Sequence, residues 1–180
     1  MILYGTNQLC ERTDARRLLA LALREQYQME ALPEISLQPL GKPCFADQVG
    51  VQFNLSHSGS LALCGLDDRP VGVDIQVVKE WKPGLPSRVC SQAELDWLDR
   101  QPDRAMGFAI LWSLKEAKVK QCGTGLRSQI REISVPLPER WDEAITLDGL
   151  RFRSYTGSSW AAAACGESEP PAQILWRNLD

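Results

Sequence analysis

The sequence predicts an α+β protein of two similar lobes, on three observations. The order helix then strands occurs twice along the 180 residues. A proline- and glycine-rich stretch, Trp81 to Pro86, separates the two occurrences and places the lobes at 1–78 and 79–180. Short turns join the strand-like segments, which gives each lobe a small, mainly antiparallel sheet. No residue-level repeat relates the halves.

The elements follow in order. Ile2 to Thr6 reads as a strand, and Thr13 caps a helix to about Met29 that buries Leu18, Leu19, Ala22 and Leu23. Pro33 to Pro43 has little periodicity and reads as a loop. Val51 to Leu55, Leu61 to Leu66 and Val71 to Gln76 read as three strands of an antiparallel meander, split by Ser56-His57-Ser58-Gly59 and Asp67-Asp68-Arg69-Pro70. After the linker, Ser91-Gln92-Ala93-Glu94 forms a capping box for a helix to about Leu98. The strongest helix spans about Arg104 to Gln121, between an Asp103 N-cap and a Gly123 stop. Strands return at Ile130 to Val135, in a hairpin turning at Asp148-Gly149 with Leu150 to Tyr155, at Trp160 to Cys165 and at Ile174 to Trp176.

Composition narrows the function. A 44% hydrophobic fraction supports a respectable core, and a net charge of −3 offers no field for nucleic acid or a membrane surface. No stretch reads as a signal peptide or a bilayer span, so a cytoplasmic protein is expected. The six cysteines are scattered without a C-x-x-C pattern, which argues against zinc and against a stapled secreted fold. His57 is the single histidine, and no nucleotide or acyl-transfer glycine motif occurs.

The chemistry-bearing residues fall on two elements. Trp112, Glu116 and Lys120 step by four and share a stripe beside the buried face of the long helix, where a plain ion pair is the alternative reading. In Val71-Gly72-Val73-Asp74-Ile75-Gln76, period two sets Asp74 opposite the apolar face, in a strand where an unpaired charge fits poorly. Two such carboxylates suit Mg2+, which completes its octahedron with water and phosphate oxygens. Arg12, Arg16 and Arg17 crowd a helix start and oppose its dipole, so they are solvated or meet an anion. Lys42 sits in a Gly-Lys-Pro turn and His57 in a serine-rich one; both read as exposed unless an anion binds.

Taken together, Gly41-Lys42-Pro43, Phe53-Asn54-Leu55-Ser56-His57-Ser58, Gly72-Val73-Asp74-Ile75, Trp112 to Lys120 and Gly123-x-Gly125-Leu126 resemble, in this order, the phosphopantetheinyl transferases of the surfactin-synthetase-activating type. The resemblance covers roughly residues 15 to 135. It implies the two-lobed fold of that family, with a long helix on each sheet and coenzyme A bound in the cleft between lobes. The implied reaction moves phosphopantetheine to a serine of an apo acyl or peptidyl carrier protein and releases adenosine 3',5'-bisphosphate.

Carried over by position, Asp74 and Glu116 would hold Mg2+, with Mn2+ as the alternative ion, and Gln76 stands where the family often has a glutamate ligand. Lys120 would contact phosphate, Ser56 and His57 the diphosphate, and Lys42 the nucleotide end. Glu116 is the first choice of base, while Glu94 matches a family acidic position that its capping box explains equally well. The segment between the first strand and first helix is shorter than in the family, and Arg16 with its neighbours would stand in for the missing 3'-phosphate contacts. Trp81, Leu85 and Val89 lie where the family docks acidic carrier helices, though inter-lobe packing explains them as well. A monomer is expected. The competing readings are a Mg2+-dependent nucleotide phosphohydrolase, a coenzyme A binder without turnover, and a weaker Ser58-His57-Asp74 hydrolase.

Overall fold

Alternation of apolar side chains, more than any long apolar run, decides how the layers stack in the computed structural model, which describes residues 1–11, 14–47, 49–125 and 130–179. Strand β1 (Ile2–Thr6) leads into helix α1 (Asp14–Tyr27), then β2 (Ile35–Leu37), β3 (Pro43–Phe45), β4 (Gln52–Ser58), β5 (Leu61–Asp67) and β6 (Val71–Val77). Helices α2 (Leu85–Val89), α3 (Gln92–Asp99) and α4 (Arg104–Cys122) follow. A 3-10 turn at Ile130–Glu132 precedes β7 (Ala144–Leu147), β8 (Leu150–Thr156), β9 (Trp160–Gly166) and β10 (Leu175–Trp176).

The fold is α+β, with two four-stranded sheets ordered β10-β1-β5-β4 and β6-β9-β8-β7, and a separate β2–β3 hairpin. Pairing is antiparallel except where β10 lies parallel to β1. Along β5, Ala62, Cys64 and Leu66 face α1 with Phe53 and Leu19, whereas Leu61 and Leu63 face the second sheet. Along β9, Ala162 and Ala164 meet that middle layer, while Ala161, Ala163 and Cys165 meet α4. The order is therefore helix, sheet, sheet, helix, and period two sorts each strand between two cores. The alanine run of β9 suits a strand packed on both faces, where larger side chains would push the layers apart.

Strand β6 shows the same sorting most clearly. Val71, Val73 and Ile75 face the first sheet, which leaves Gly72, Asp74 and Gln76 toward α4. Gly72 lets the two elements touch: a Cβ there would collide with the Ala117 carbonyl oxygen and the Gln121 amide nitrogen, both backbone.

The predicted meander is corrected by β6. It leaves β4 and β5 and pairs with β9 over its whole length, while β4 meets its other edge. The contact is parallel and made by side chains: Val73 N–H donates to Asn54 Oδ1 at 2.8 Å, Ile75 N–H to Ser56 Oγ at 3.3 Å and Val77 N–H to Ser58 Oγ at 3.0 Å. Acceptors two residues apart on one strand match donors two residues apart on the other. Side chains thus satisfy N–H groups that a backbone partner would otherwise take.

Other differences are local. Ile130 to Val135 forms no strand: Ile130–Glu132 is the 3-10 turn, and the Ile130 carbonyl accepts from the Lys115 ammonium at 2.9 Å instead of joining a ladder. The loop from Pro33 to Pro43 contains most of the β2–β3 hairpin, and the linker Trp81 to Pro86 runs into α2, which begins at Leu85. The Thr13 cap, Arg12 and Leu126 lie outside the described residues. Among those residues no helix is long and apolar enough to cross a membrane. Replacing Gly72→Ala should destabilise the protein by roughly 3 kcal/mol or more, because backbone must move to admit the methyl group. Urea unfolding checks this, and an unchanged midpoint would refute the close β6–α4 packing.

Candidate active site

Helix α4 carries the site because nearly every face of it is committed. Its N-cap Asp103 accepts from the Met106 N–H, and Gly123 closes its C-terminus at φ 69°, donating its N–H to the Val119 carbonyl. Ile110, Leu111, Leu114 and Ala117 are buried in the core shared with α3 and β9. The stripe of Trp112, Glu116 and Lys120 runs along the edge of this core, beside β6.

On β6, Asp74 is only 2% exposed. Its Oδ1 accepts from Lys120 Nζ at 2.7 Å and from the Ser56 hydroxyl at 2.7 Å, while Oδ2 accepts from Gln76 Nε2 at 2.8 Å. Lys120 also donates to Ser56 Oγ at 2.9 Å. A buried carboxylate is thereby neutralised and saturated on one side. Glu116 differs. Half-buried, it makes no hydrogen bond or ion pair among the described residues, and burial pushes its carboxyl above the ordinary glutamate value of 4.5, reinforced by the charge of Asp74 and opposed by Lys120.

Two concavities flank this group. A cleft of about 220 Å³ is walled by Lys42 on the hairpin, Leu55 on β4 and Glu116 and Lys120 on α4. An apolar groove of about 510 Å³ starts at Gln76 and is lined by Trp81, Leu85, Phe108 and Trp112. Trp81 packs on Phe108 at a tilt, with ring centroids 4.9 Å apart. The α4 stripe thus spans both, with Trp112 in the groove and Glu116 and Lys120 in the cleft.

The donor set fits a hard divalent cation. Two carboxylates interact across β6 and α4, and one of them, Glu116, makes no hydrogen bond or ion pair among the described residues. Among the described residues no cluster of three His, Cys, Asp or Glu side chains forms, so water or substrate oxygens would complete the coordination. Gln76 serves here as an N–H donor to Asp74, not as an oxygen ligand.

The remaining predicted residues scatter. Glu94 accepts from the Ser91 N–H at 2.7 Å and from Lys115 Nζ at 2.8 Å, and Lys115 also donates to the Val89 and Ile130 carbonyls at 3.1 and 2.9 Å. All three ammonium hydrogens are thus placed. Lys115 points about 100° around the helix from Glu116. The catalytic reading of Glu94 is therefore set aside for a structural one: it anchors α3 to α4 away from Asp74.

Lys42 is buried as well, donating to Val71 O at 3.1 Å and Gln121 O at 2.9 Å, and desolvation lowers its pKa. One N–H remains for a ligand in the cleft. His57 is exposed and makes no hydrogen bond among the described residues. Arg16 is exposed on α1, which packs on β1, β4 and β5 and contributes no wall to the cleft. Val89 is buried in the core and does not line the groove that Trp81 and Leu85 share. Residue spacing missed the roles of Asn54 and Ser58; the visible signal was polar side chains at every second position of β4.

Folding favours the protonated form of Glu116, so stability falls as pH rises from about 4.5 through its raised value. Glu116→Gln should therefore stabilise the protein at neutral pH by the order of 1 kcal/mol, an advantage that fades below about pH 4. Urea midpoints across that range test this, and an equal or lower midpoint at neutral pH contradicts it. Lys115→Met strands the buried Glu94 charge and should cost about 3 to 5 kcal/mol, with Glu94→Gln in the same chain recovering part of the loss.

Comparison with known proteins identifies the family of the chain that carries these residues. The sequence model described as the 4'-phosphopantetheinyl transferase superfamily matches residues 70–166, which include Asp74, Glu116 and Lys120. 4'-Phosphopantetheinyl transferase Sfp of Bacillus subtilis (strain 168) is 35% identical over 141 residues, covering 77% of this chain and 63% of the relative. 4'-Phosphopantetheinyl transferase ffp of Bacillus subtilis is 38% identical over 125 residues, covering 68% and 56%. 4'-Phosphopantetheinyl transferase AcpT of Escherichia coli (strain K12) is 38% identical over 102 residues, covering 53% and 51%. The chain thus spans between half and just under two thirds of the length of these relatives. With the family match running through both β6 and α4, the chain belongs to the 4'-phosphopantetheinyl transferase superfamily.

Proposed function

We propose that this protein transfers the phosphopantetheine group of coenzyme A to a serine of an apo acyl or peptidyl carrier protein. One observation carries the reading: the Glu116 carboxylate, without a hydrogen bond or ion pair among the described residues, lies beside the Asp74–Lys120 pair at the wall of a cleft that also holds Lys42. The cleft suits the anionic nucleotide end of coenzyme A. The groove along Trp81 and Trp112 suits the pantetheine arm and the incoming carrier.

The chemistry follows from this layout. The carrier serine oxygen forms a bond to the phosphorus that bears pantetheine, and the bond from that phosphorus to the bridging oxygen breaks. Adenosine 3',5'-bisphosphate leaves. Glu116, at the wall of the cleft, accepts the serine proton. Lys120, one turn beyond, meets the charge that grows on the leaving phosphate, and the remaining N–H of Lys42 and the exposed His57 ring bind anionic oxygens. Mg2+, held by Asp74 and Glu116 when bound, would supply electrostatic stabilisation of the diphosphate. We place the protein in the cytoplasm as a monomer, where coenzyme A and carrier proteins meet.

The test is the intact mass of an apo carrier protein after incubation with this protein, coenzyme A and Mg2+. A phosphopantetheine-sized gain that disappears with Glu116→Ala or without metal is expected. Bisphosphate release without carrier modification would mean a hydrolase instead. Coenzyme A binding with no turnover on several carriers would mean a binder.

A further inference from the structure

The Ser56 hydroxyl has one hydrogen to give and two lone pairs to fill, and the fold uses all three. It donates to Asp74 Oδ1 at 2.7 Å and accepts from Ile75 N–H at 3.3 Å and from Lys120 Nζ at 2.9 Å. Lys120 and Asp74 Oδ1 are themselves 2.7 Å apart, so the three groups close a triangle. Ser56 is 6% exposed, which leaves no open approach for a ligand oxygen. A diphosphate contact would require one of these bonds to break.

We propose that Ser56 is a positioning residue, which holds the Asp74 carboxylate and the Lys120 ammonium in register and ties both to the first sheet. The inference rests on the transferase reading for its kinetic form, not for its geometry. Ser56 is also the middle rung between Asn54 and Ser58, so β4 and β6 share one alignment at the point where Asp74 leaves the strand. Without the hydroxyl, Asp74 Oδ1 keeps only a lysine on a flexible four-carbon stem, and the Ile75 N–H is buried without its acceptor.

Ser58 supplies the control. It accepts from Val77 N–H at 3.0 Å as a ladder rung, yet its hydroxyl bonds to neither Asp74 nor Lys120 among the described residues. Ser56→Ala should lower kcat about tenfold or more and change the KM for coenzyme A by less than about threefold, while Ser58→Ala keeps kcat within about twofold despite a comparable loss of stability. Ser56→Thr, which keeps the hydroxyl, should recover most of the rate. If Ser56→Ala does not fold, Ser56→Cys replaces it, keeping the volume while weakening donor and acceptor.

A second readout needs no turnover. Mn2+ binding to the protein without coenzyme A, followed by water-proton relaxation, should weaken in Ser56→Ala and not in Ser58→Ala. A raised KM with an unchanged kcat would make Ser56 a phosphate contact and overturn the proposal. Equal kcat in the two alanine variants would reduce Ser56 to a rung and also overturn it. If the wild type modifies no carrier, the transferase reading fails by itself. The Mn2+ isotherms then decide the positioning role, and wild-type affinity in Ser56→Ala refutes it.

Discussion

Everything in this molecule depends on how the free edge of β6 is satisfied. One edge pairs with β9, and the other meets Asn54, Ser56 and Ser58 of β4 in place of a neighbouring backbone. A backbone ladder there would merge the two sheets into one. Side-chain acceptors reach further and permit β4 to lie across the edge, so the sheets stack face to face around Leu63, Val73 and Ala164. The same arrangement fixes the facing of β6. Its apolar residues must point into the middle layer, and its even-numbered residues must therefore point at α4.

That facing creates the electrostatic problem which the site answers. Asp74 is driven under α4 by the pleat, where an unpaired carboxylate would cost several kcal/mol. Lys120 and Ser56 neutralise it from the α4 and β4 sides. Glu116, one turn earlier on the same stripe, then has no cation left within bonding distance among the described residues. The helix therefore presents a carboxylate with no hydrogen bond or ion pair among the described residues, at the wall of the cleft and next to the apolar groove. An arrangement tuned for stability alone would have paired it.

How much of this was legible depended on the range of the forces involved. The position of Asp74 on its strand and the Trp112, Glu116, Lys120 stripe follow from periods of two and four, which are local. The capping box at Ser91 and Glu94 is equally local and forms as read. The transfer of β6 to the other sheet was not legible, because the three residues between β5 and β6 look like a hairpin turn and the competing partner, β9, begins more than eighty residues later. The burial of Lys115 was hidden for a related reason: lysine is ordinarily a surface residue, and its acceptors come from α2, α3 and the turn at Ile130. Strands of three residues, β2 and β3, are too short to show alternation.

Three lysines then explain why α4 can hold reactive groups in place. Lys115 joins it to α3 and to the carbonyl that ends α2, Lys120 joins it to β6, and Lys42 reaches from the hairpin to the Gln121 carbonyl at its last turn. Apolar packing alone tolerates small slides, since neighbouring turns of a helix offer similar surfaces. A buried ammonium does not, because a shift of one ångström leaves a charge or a carbonyl without its partner. The three pins lie on different sides of the helix and at different heights along it. Rotation and translation are both opposed, so Glu116 keeps its distance from Asp74 although no bond joins them.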